Sequence, residues 1–398
     1  MTSMPDKPGL YSPDFLVFSD DWGEHPSSCQ HIFKEIAKDY RVVWVNTIGM
    51  RNPTLTLRDL KKAAKKILKM VRLNRCKRRA ATQLENIAIC QPLMLPFTRS
   101  RFARRFNRWS VTRRVVSELK SRTINEPIIV TTVPNAAEYP KLLRSGSTIY
   151  YCVDDFFRWP GLDSMRVNEM EEDLIGYADV IIAASDSLAK KFESSNLPVY
   201  ILTHGVDVEH FQNLNTTEHL KLLTINRPRI GFFGLVDDRM DWALIDAIAR
   251  DAKGISFVFA GKVDATAGRL PKRQNIHFLG NVEYSELPSF IVGMEVLMIP
   301  YKTTGIGEMI APLKLKEYLC TGKPVLVTPF SEMRRYAPPV RIAKTPEEWS
   351  EALNAVLNQL NCEEHRQITS DLKSESWCEK AKAFIEIAMN VRERQPRA

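Results

Sequence analysis

The residue types best suited to chemistry occur together in the segment EVLMIPYKTTGIGEMIAPLKLKEYLCTGKPVLVT, residues 295–328. An apolar strand is followed there by a loop that contains Gly305 and Gly307, and then by a helix that carries Lys314 and Glu317. The free N–H groups and the dipole at the start of a helix attract anions, and glycines let phosphate oxygens approach the backbone closely. Lys314 adds a positive charge for a diphosphate, while Glu317 can accept two hydrogen bonds from a vicinal diol such as ribose. The segment predicts a nucleotide-diphosphate site; the alternative is that Lys314 and Glu317 form only a surface pair of helix neighbours.

A second glycine-containing segment, RIGFFGLVDDRMDWALI at residues 229–245, points to the same chemistry. Gly231 and Gly234 lie where a strand leads into a helix, which predicts a turn that passes close to phosphates. Arg239 adds a positive charge that can neutralise a phosphate. The alternative is that Arg239 pairs with a neighbouring acid, namely Asp237, Asp238 or Asp241.

Two adjacent acids, Asp154 and Asp155, follow the apolar run STIYYCV. A carboxylate at the carboxyl end of a strand suits a general base or an acceptor of hydrogen bonds from sugar hydroxyls. Because successive strand residues point to opposite faces, only one of the two can face an active site. The alternative is that one of them caps the next segment and the other is solvated.

Near the amino end, a strand is followed by SDDWGEHPSSCQHIFKEIA, residues 19–37. A helix that starts near Ser27 or Ser28 would provide another N-terminal anion site. Trp22 and His31 lie close to this helix start in the sequence. We predict them as candidates for lining an acceptor pocket, that is, the pocket for a substrate that would receive a transferred group.

These candidates need strands to position them. Short apolar, β-branched runs alternate with helical stretches, as is typical of parallel α/β sheets. The predicted strands are 15–18, 42–45, 87–90, 128–133, 149–153 and 180–184, then 230–234, 257–260, 276–279, 296–299, 325–327 and 340–342. Two such sets predict two Rossmann-like domains, residues 1–205 and 206–376, with a seam at about 205–228 and a final amphipathic helix and tail at 377–398. Two facing sheets leave a cleft at the carboxyl ends of their strands, which suits a reaction between two substrates.

The composition agrees with a two-domain protein in a reducing compartment. The 398 residues are 44% hydrophobic and 26% charged, and no apolar run approaches the ~20 residues of a membrane-spanning helix. No secretory signal is visible in the first residues. The seven cysteines are scattered and never have CxxC spacing, which argues against disulfides or a zinc site and predicts the cytoplasm.

The net charge of +9 is concentrated in two stretches of the first third. Residues 58–79 hold eleven Lys/Arg against one acid, and residues 99–114 hold seven Lys/Arg with no acid. Apolar residues recur at helical spacing in both, including Phe102, Phe106 and Trp109 in the second. We predict helices that lie on an anionic membrane surface. The alternatives are an apolar stripe that packs on its own domain under a solvated charged face, and nucleic-acid binding, which no recognised motif accompanies.

The helix sequence PLKLKEYLCTGKPVL, residues 312–326, resembles the donor-site helix of group 1 GT-B glycosyltransferases, the family 4-like bacterial enzymes, whose members read close to PxKxxEYxAxGKPVV. The resemblance implies an α/β GT-B fold, with two Rossmann-like domains facing a central cleft and a C-terminal helix packing back toward the N-terminal domain. It also implies that Glu317 binds the nucleotide ribose, while Lys314 and the backbone of 305–311 bind the diphosphate. Many relatives place a second Glu eight residues earlier, facing the transferred sugar. Here that position is Met309, and the nearest acid is Glu308, which becomes the candidate.

Two other segments resemble the same family. RIGFFGLVDDRMDWALI is similar to GxxGxxDERxDxxLL, which implies phosphate-binding roles for Gly234 and Arg239. ILTHGVDVEHF, residues 201–211, is very similar to the interdomain turn PHGVD, which implies that His204 and Gly205 line the cleft near the donor. Relatives carry Asp or His at the place that matches Asp154, and this favours Asp154 as the catalytic carboxylate.

The expected activity is therefore transfer of a sugar from a nucleoside-diphosphate donor to a hydroxyl of a saccharide acceptor. The basic stretches favour a lipid-linked acceptor for a cell-surface polysaccharide, at the cytoplasmic face of the plasma membrane. We expect no metal ion and no other cofactor, and nucleic acid is not an expected partner. The alternatives are a GT-B-fold nucleotide-sugar epimerase, and a non-enzymatic membrane- or RNA-binding protein on the same scaffold.

Overall fold

The computed structural model describes residues 13–23, 27–48, 86–97, 99–159, 161–303, 313–329, 340–358 and 372–394. The chain forms two compact units. The first contains the residues up to His204 together with those from Trp377 onward, and the second is Gly205–Ser376.

The first unit is built on one parallel sheet. Its strands are β1 Phe15–Ser19, β2 Val42–Asn46, β3 Ile87–Cys90, β4 Ile128–Thr131, β5 Ser147–Cys152, β6 Val180–Ala183 and β7 Val199–Ile201. They lie in the order β3-β2-β1-β4-β5-β6-β7, and all neighbours are parallel. Every residue of β1, β2, β4, β5 and β6 is buried. The reason is that helices cover both faces of a parallel sheet, so its strands are apolar throughout instead of alternating.

Four helices of this unit begin after a residue that caps them. They are α1 Ser28–Ile36, α2 Arg101–Ser121, α3 Ser164–Ile175 and α4 Asp186–Lys190. The side chains of Ser27, Ser100, Asp163 and Ser185 each accept a backbone N–H from the first turn. Such caps satisfy donors that the helix cannot pair internally. Three short 3-10 turns lie at Pro134–Ala136, Pro140–Leu142 and Phe156–Arg158.

The second unit has its own parallel sheet. Its strands are β8 Arg229–Phe233, β9 Ser256–Ala260, β10 Ile276–Gly280, β11 Val296–Ile299, β12 Val325–Val327 and β13 Val340–Ile342, in the order β10-β9-β8-β11-β12-β13. Its helices are α5 Val208–Gln212, α6 Trp242–Asp251, α7 Leu287–Val292, α8 Leu313–Cys320 and α9 Pro346–Asn358. Short 3-10 turns lie at Leu220–Leu222, Ala265–Ala267, Tyr284–Glu286 and Leu372–Glu375. One apolar core runs through the strands and helices of this unit.

The last helix, α10 Trp377–Arg394, belongs to the first unit. The Phe384 ring lies 5.4 Å from the Phe33 ring of α1 and 5.7 Å from the Tyr151 ring of β5. Aromatic rings at these separations in tilted or edge-on arrangements stabilise packing beyond the area that they bury. The predicted return of the C-terminal helix to the first domain is confirmed.

All twelve predicted strands are present, and their ends differ from the prediction by at most two residues. Sequence analysis did not predict β7, although Val199, Tyr200 and Ile201 are apolar; this strand has only three residues and lies at the edge of the sheet. The polar stretch 213–224 of the predicted seam at about 205–228 packs within the second unit. There the buried Arg229 guanidinium donates to the carbonyls of Leu222 and Ile225 and pairs with Glu218. Among the helices that the structure describes, none is both long and apolar enough to cross a membrane.

Candidate functional site

Lys314 and Gly234 meet at the carboxyl end of β8. Gly234 has φ +126°, and a Cβ atom at this position would lie 1.9 Å from Cε of Lys314. The lysine side chain therefore crosses directly over the glycine, and its Nζ lies 5.8 Å from the centre of the Phe232 ring. A side chain at position 234 would displace it, so both the conformation and the space require glycine there. The two segments that sequence analysis singled out separately form one cluster.

The backbone at Gly234 is in close contact with the next loop. A Cβ atom on Gly261 would lie 1.9 Å from the carbonyl oxygen of Gly234, and Gly261 has φ +148°. The Gly234 N–H donates to the Ala260 carbonyl at 2.8 Å, and the Gly261 N–H donates to the Gly280 carbonyl at 2.7 Å. The loops after β8, β9 and β10 are thus joined backbone to backbone. Sequence analysis did not single out Gly261, because the atom that excludes a side chain there belongs to another loop.

Helix α8 is fixed to the end of β8 by Tyr318. The buried Tyr318 hydroxyl accepts the Phe233 N–H at 2.9 Å. Phe233 immediately precedes Gly234, so this bond sets the height of the helix above the glycine. The position of Lys314 over Gly234 follows from it, because Lys314 lies on the same helix one turn earlier.

Glu317 is half-buried on the same helix. Burial raises the pKa of its carboxyl group to about 7, and the positive charge of Lys314 opposes that rise. A carboxylate removed from water is costly unless donors reach it. Glu317 is therefore suited to a ligand that brings hydroxyl donors, such as the two hydroxyls of a ribose.

Tyr284 lies within electrostatic range of Glu317, and His210 packs on Tyr284; sequence analysis identified neither residue. Their rings stack at 4.2 Å with 11° between planes, and His210 Nε2 lies 2.9 Å from the Tyr284 carbonyl oxygen. Burial raises the pKa of Tyr284, and the carboxylates of Asp207 and Glu317 raise it further. The signal in the sequence for Tyr284 was that an aromatic residue occurs shortly after Gly280, the glycine that ends β10.

Arg239 is held by the acid two residues before it. Its Nε lies 2.8 and 2.9 Å from the carboxylate oxygens of Asp237, and the guanidinium lies 5.3 Å from the centre of the Tyr301 ring. Of the acids considered as partners, the structure selects Asp237; the phosphate role of Arg239 stays a prediction. The interpretation of Gly231 as a phosphate-approach residue is wrong, because it lies inside β8 and a Cβ there would lie 2.6 Å from Met294.

Residues 304–312, which precede α8 in the chain, lie outside the described residues. The predicted roles of Gly305, Gly307 and Glu308 therefore stay predictions. Among the residues that the structure describes, no group of three or more His, Cys, Asp or Glu side chains is placed to hold a metal ion. The expectation that no metal is needed stays a prediction.

In the first unit, Asp154 and Asp155 differ in their exposure and in their partners. Asp155 lies 3.1 Å from Lys191 Nζ and 3.1 Å from Arg158 Nε. Asp154 is exposed just beyond the end of β5, and its Oδ1 accepts the Asp155 N–H at 2.8 Å. Lys191 also pairs with the buried Glu171 at 2.6 Å, so Asp155 is part of an internal ion-pair cluster. Of the two, Asp154 is the exposed carboxylate, and its catalytic role stays a prediction.

The remaining candidates of the first unit make contacts within it. Trp22 packs edge-on against Trp44 at 4.8 Å, and His31 stacks on Trp377 of α10 at 4.6 Å. His204 Nδ1 lies 2.5 Å from the hydroxyl of Ser28 at the start of α1. Gly205 is the first residue of the second unit. These contacts give Trp22 and His31 a packing role, and they do not test the acceptor role predicted for the same two residues. They do not test the cleft role predicted for His204 and Gly205 either, so both roles stay predictions.

Comparison with known proteins shows what this chain is similar to. Residues 227–359 match the family described as "Glycosyl transferases group 1". The putative teichuronic acid biosynthesis glycosyltransferase TuaH of Bacillus subtilis (strain 168) is 27% identical over 218 residues, which are 50% of this chain and 54% of TuaH. The chain thus spans about half the length of that curated relative.

Solved structures match nearly the whole chain. Sucrose-phosphate synthase from Thermosynechococcus elongatus has a TM-score of 0.68 at 10% identity, over 96% of this chain and 100% of the other. HepE from Anabaena in complex with UDP-glucose has a TM-score of 0.64 at 13% identity, over 95% and 99%. At these identities the likeness concerns the fold. The predicted GT-B fold and the resemblance to group 1 glycosyltransferases are confirmed.

Proposed function

We propose that this chain, which has the GT-B fold and a group 1 glycosyltransferase domain, transfers a sugar from a nucleoside-diphosphate donor to a hydroxyl of a saccharide acceptor. The observation that carries the proposal is the position of Lys314 over Gly234, with Glu317 one turn further along α8. A cation above bare backbone suits a diphosphate, and a carboxylate with a raised pKa suits the ribose hydroxyls.

The donor that we propose to test first is a UDP-sugar. HepE, whose structure resembles this chain, is described in complex with UDP, with UDP and glucose, and with UDP-glucose. Arg239 and Lys314 would stabilise the charge that develops on the departing diphosphate, together with the N-terminal dipole of α8. No metal ion is required in this proposal.

The acceptor that we propose is a lipid-linked saccharide of a cell-surface polysaccharide. The similarity to TuaH, a putative teichuronic acid biosynthesis enzyme, supports the pathway class. A lipid-linked acceptor would place the enzyme in the cytoplasm, on the inner face of the plasma membrane. The basic stretch at 58–79 that contributed to this prediction lies outside the described residues.

For the chemical step we propose Asp154 as the residue that receives the acceptor proton if the configuration at the sugar inverts. If the configuration is retained, Asp154 would only orient the acceptor hydroxyl. Holding the acceptor oxygen against the anomeric carbon is a proximity effect in either case.

Donor binding tests the proposal. We expect Glu317→Ala to bind UDP-glucose about 100-fold more weakly, because hydrogen bonds to a charged group contribute roughly 1.5–3 kcal/mol each. Binding is measured by calorimetry, after a thermal-shift screen of UDP-, GDP- and ADP-sugars has selected the donor. Glu351→Ala, an exposed glutamate on α9, is the matched control and should bind as the unaltered protein does. Equal affinity in the Glu317 and Glu351 variants would contradict the proposed site.

A further inference from the structure

The nine basic residues between Arg99 and Arg122 divide into two groups according to their partners. Four of them are paired with carboxylates of the first unit. These pairs are Arg99 with Asp163, Arg104 with Glu138 at 3.4 Å, and Arg114 and Arg122 with Glu118 at 3.3 Å each. These arginines are explained by the internal structure of the unit.

The other five are exposed, and they are Arg101, Arg105, Arg108, Arg113 and Lys120. Among the described residues, no carboxylate lies within ion-pair distance of any of them. They extend over about 28 Å of α2, at 1.5 Å per residue. Exposed cations without acidic partners produce a positive field along this helix that internal pairing does not neutralise.

Aromatic side chains are exposed on the same side of the helix. Phe102 is 75% exposed and Trp109 is 58% exposed, whereas α2 packs on its unit through Ala103, Asn107, Val111, Val115 and Leu119. The alternative that the aromatic stripe packs on its own domain is therefore wrong for Phe102 and Trp109. Large exposed apolar groups on a soluble unit indicate an interaction surface.

A groove of about 700 Å³ runs along this side of α2. Trp109, Val116 and Leu142 provide its apolar lining, and Arg108, Arg113 and Lys120 provide its charge. The Arg113 guanidinium lies 5.7 Å from the centre of the Trp109 ring. Cations adjacent to an indole fit a ligand that has anionic groups directly beside apolar ones.

We propose that the α2 outer face, formed by Arg101, Phe102, Arg105, Arg108, Trp109, Arg113 and Lys120, docks on an anionic lipid bilayer. The five cations would contact lipid phosphates, while Phe102 and Trp109 would enter the headgroup region, where amphipathic rings are stable. Membrane docking deepens the proposed function. It rests on that function in one respect only, namely that a lipid-linked acceptor would explain why the enzyme is needed at a membrane. A single-stranded nucleic acid also offers phosphates beside stacking groups, and the experiment separates the two.

Vesicle binding by the full chain tests the assignment. Arg105→Gln, Arg108→Gln and Arg113→Gln are combined, and glutamine keeps the helix propensity. We expect the affinity for vesicles of phosphatidylcholine and phosphatidylglycerol to fall about 100-fold, because each basic residue near such a surface contributes about a fivefold factor. The matched control combines Lys253→Gln, Arg269→Gln and Lys272→Gln, three exposed cations of the second unit. It removes the same charge and should leave vesicle affinity nearly unchanged.

A second variant, Trp109→Ser, separates lipid insertion from charge alone. We expect it to weaken vesicle binding several-fold at high salt, where the electrostatic attraction is screened. Unchanged vesicle affinity of the triple arginine variant, or an equal loss in the control, would overturn the assignment to α2. Binding of single-stranded RNA but not of vesicles through the same arginines would also overturn it. UDP-glucose affinity measured on the same variants should not change, so failure of the proposed donor site is recognised separately.

Discussion

The two units differ in how they use the residues that the sequence marked for chemistry. In the second unit, Gly234 and Lys314 come from segments eighty residues apart and meet over the end of β8. In the first unit, His31 stacks on Trp377 and Trp22 packs on Trp44. The second unit brings two of its candidates together, whereas the first uses two of its candidates for internal packing.

The difference reflects the kind of evidence that each prediction used. The second-unit prediction rested on a resemblance to the donor-site segments of a known family, on glycines at strand ends and on helix spacing. The glycines and the spacing impose a local geometry. The prediction for Trp22 and His31 rested on residue type and on a place in a loop. A histidine or tryptophan near a helix start has no required partner, and tertiary packing supplied one.

The largest expected effect tests whether the first unit contributes to the chemistry at all. If the configuration at the sugar inverts, we expect Asp154→Asn to lower turnover by about 10²–10⁴-fold with donor affinity unchanged, because it removes a general base. The measurement is the initial rate with UDP-sugar and acceptor, beside calorimetric donor binding.

Asp155→Asn is the matched control for that variant. Its half-exposed pairs with Lys191 and Arg158 predict a stability loss below about 1 kcal/mol and little change in rate. A large rate loss in the Asp155 variant alone would show that the assignment within the pair is wrong. If inversion is established and neither variant loses rate, the base does not come from this strand end.

The next effect tests the backbone contacts that support the second-unit cluster. Gly261→Ala places a Cβ atom on the carbonyl oxygen of Gly234 and keeps a residue at φ +148°. We expect the free energy of unfolding to fall by about 3 kcal/mol, since strain of this kind costs roughly 1–3 kcal/mol and steric overlap adds to it. Gly254→Ala is the control, because a Cβ there has no atom within 4 Å. Similar urea midpoints for the two variants would refute the close contact between the loops.

The smallest effect concerns the raised pKa of Glu317. Folding raises this pKa from 4.5 to about 7, so between these pH values the folded state binds a proton that the unfolded state has released. The free energy of unfolding should therefore decrease as the pH rises from about 4.5 to about 7, and the loss is complete above pH 7. In the Glu317→Gln variant, the fall in the free energy of unfolding over this pH range should be smaller by about 1–2 kcal/mol. This value is below the one that the full pKa shift would give, because the group is only half-buried.

The comparison is made by urea unfolding at pH 5 and pH 8, with Glu351→Gln as the control. Nucleotide-sugar binding should show the reverse trend and strengthen toward pH 8, because the ionised carboxylate is the better acceptor for ribose hydroxyls. Parallel pH profiles in the unaltered protein and the Glu317 variant would contradict the raised pKa.

The sequence determined the architecture and the placement of Lys314 and Glu317 on α8. Runs such as 42–45 and 296–299 are continuously apolar, and the spacing of Lys314 and Glu317 fixes both on neighbouring turns, so local propensity was sufficient. Tertiary structure alone decided that Gly261 must lack a side chain, that His210 stacks on Tyr284, and that Asp155 rather than Asp154 is tied to Lys191. In each of these cases the deciding partner lies 27 or more residues away in the chain. No periodicity records such a contact, because it exists only after the loops of separate strands are brought to one edge of a sheet.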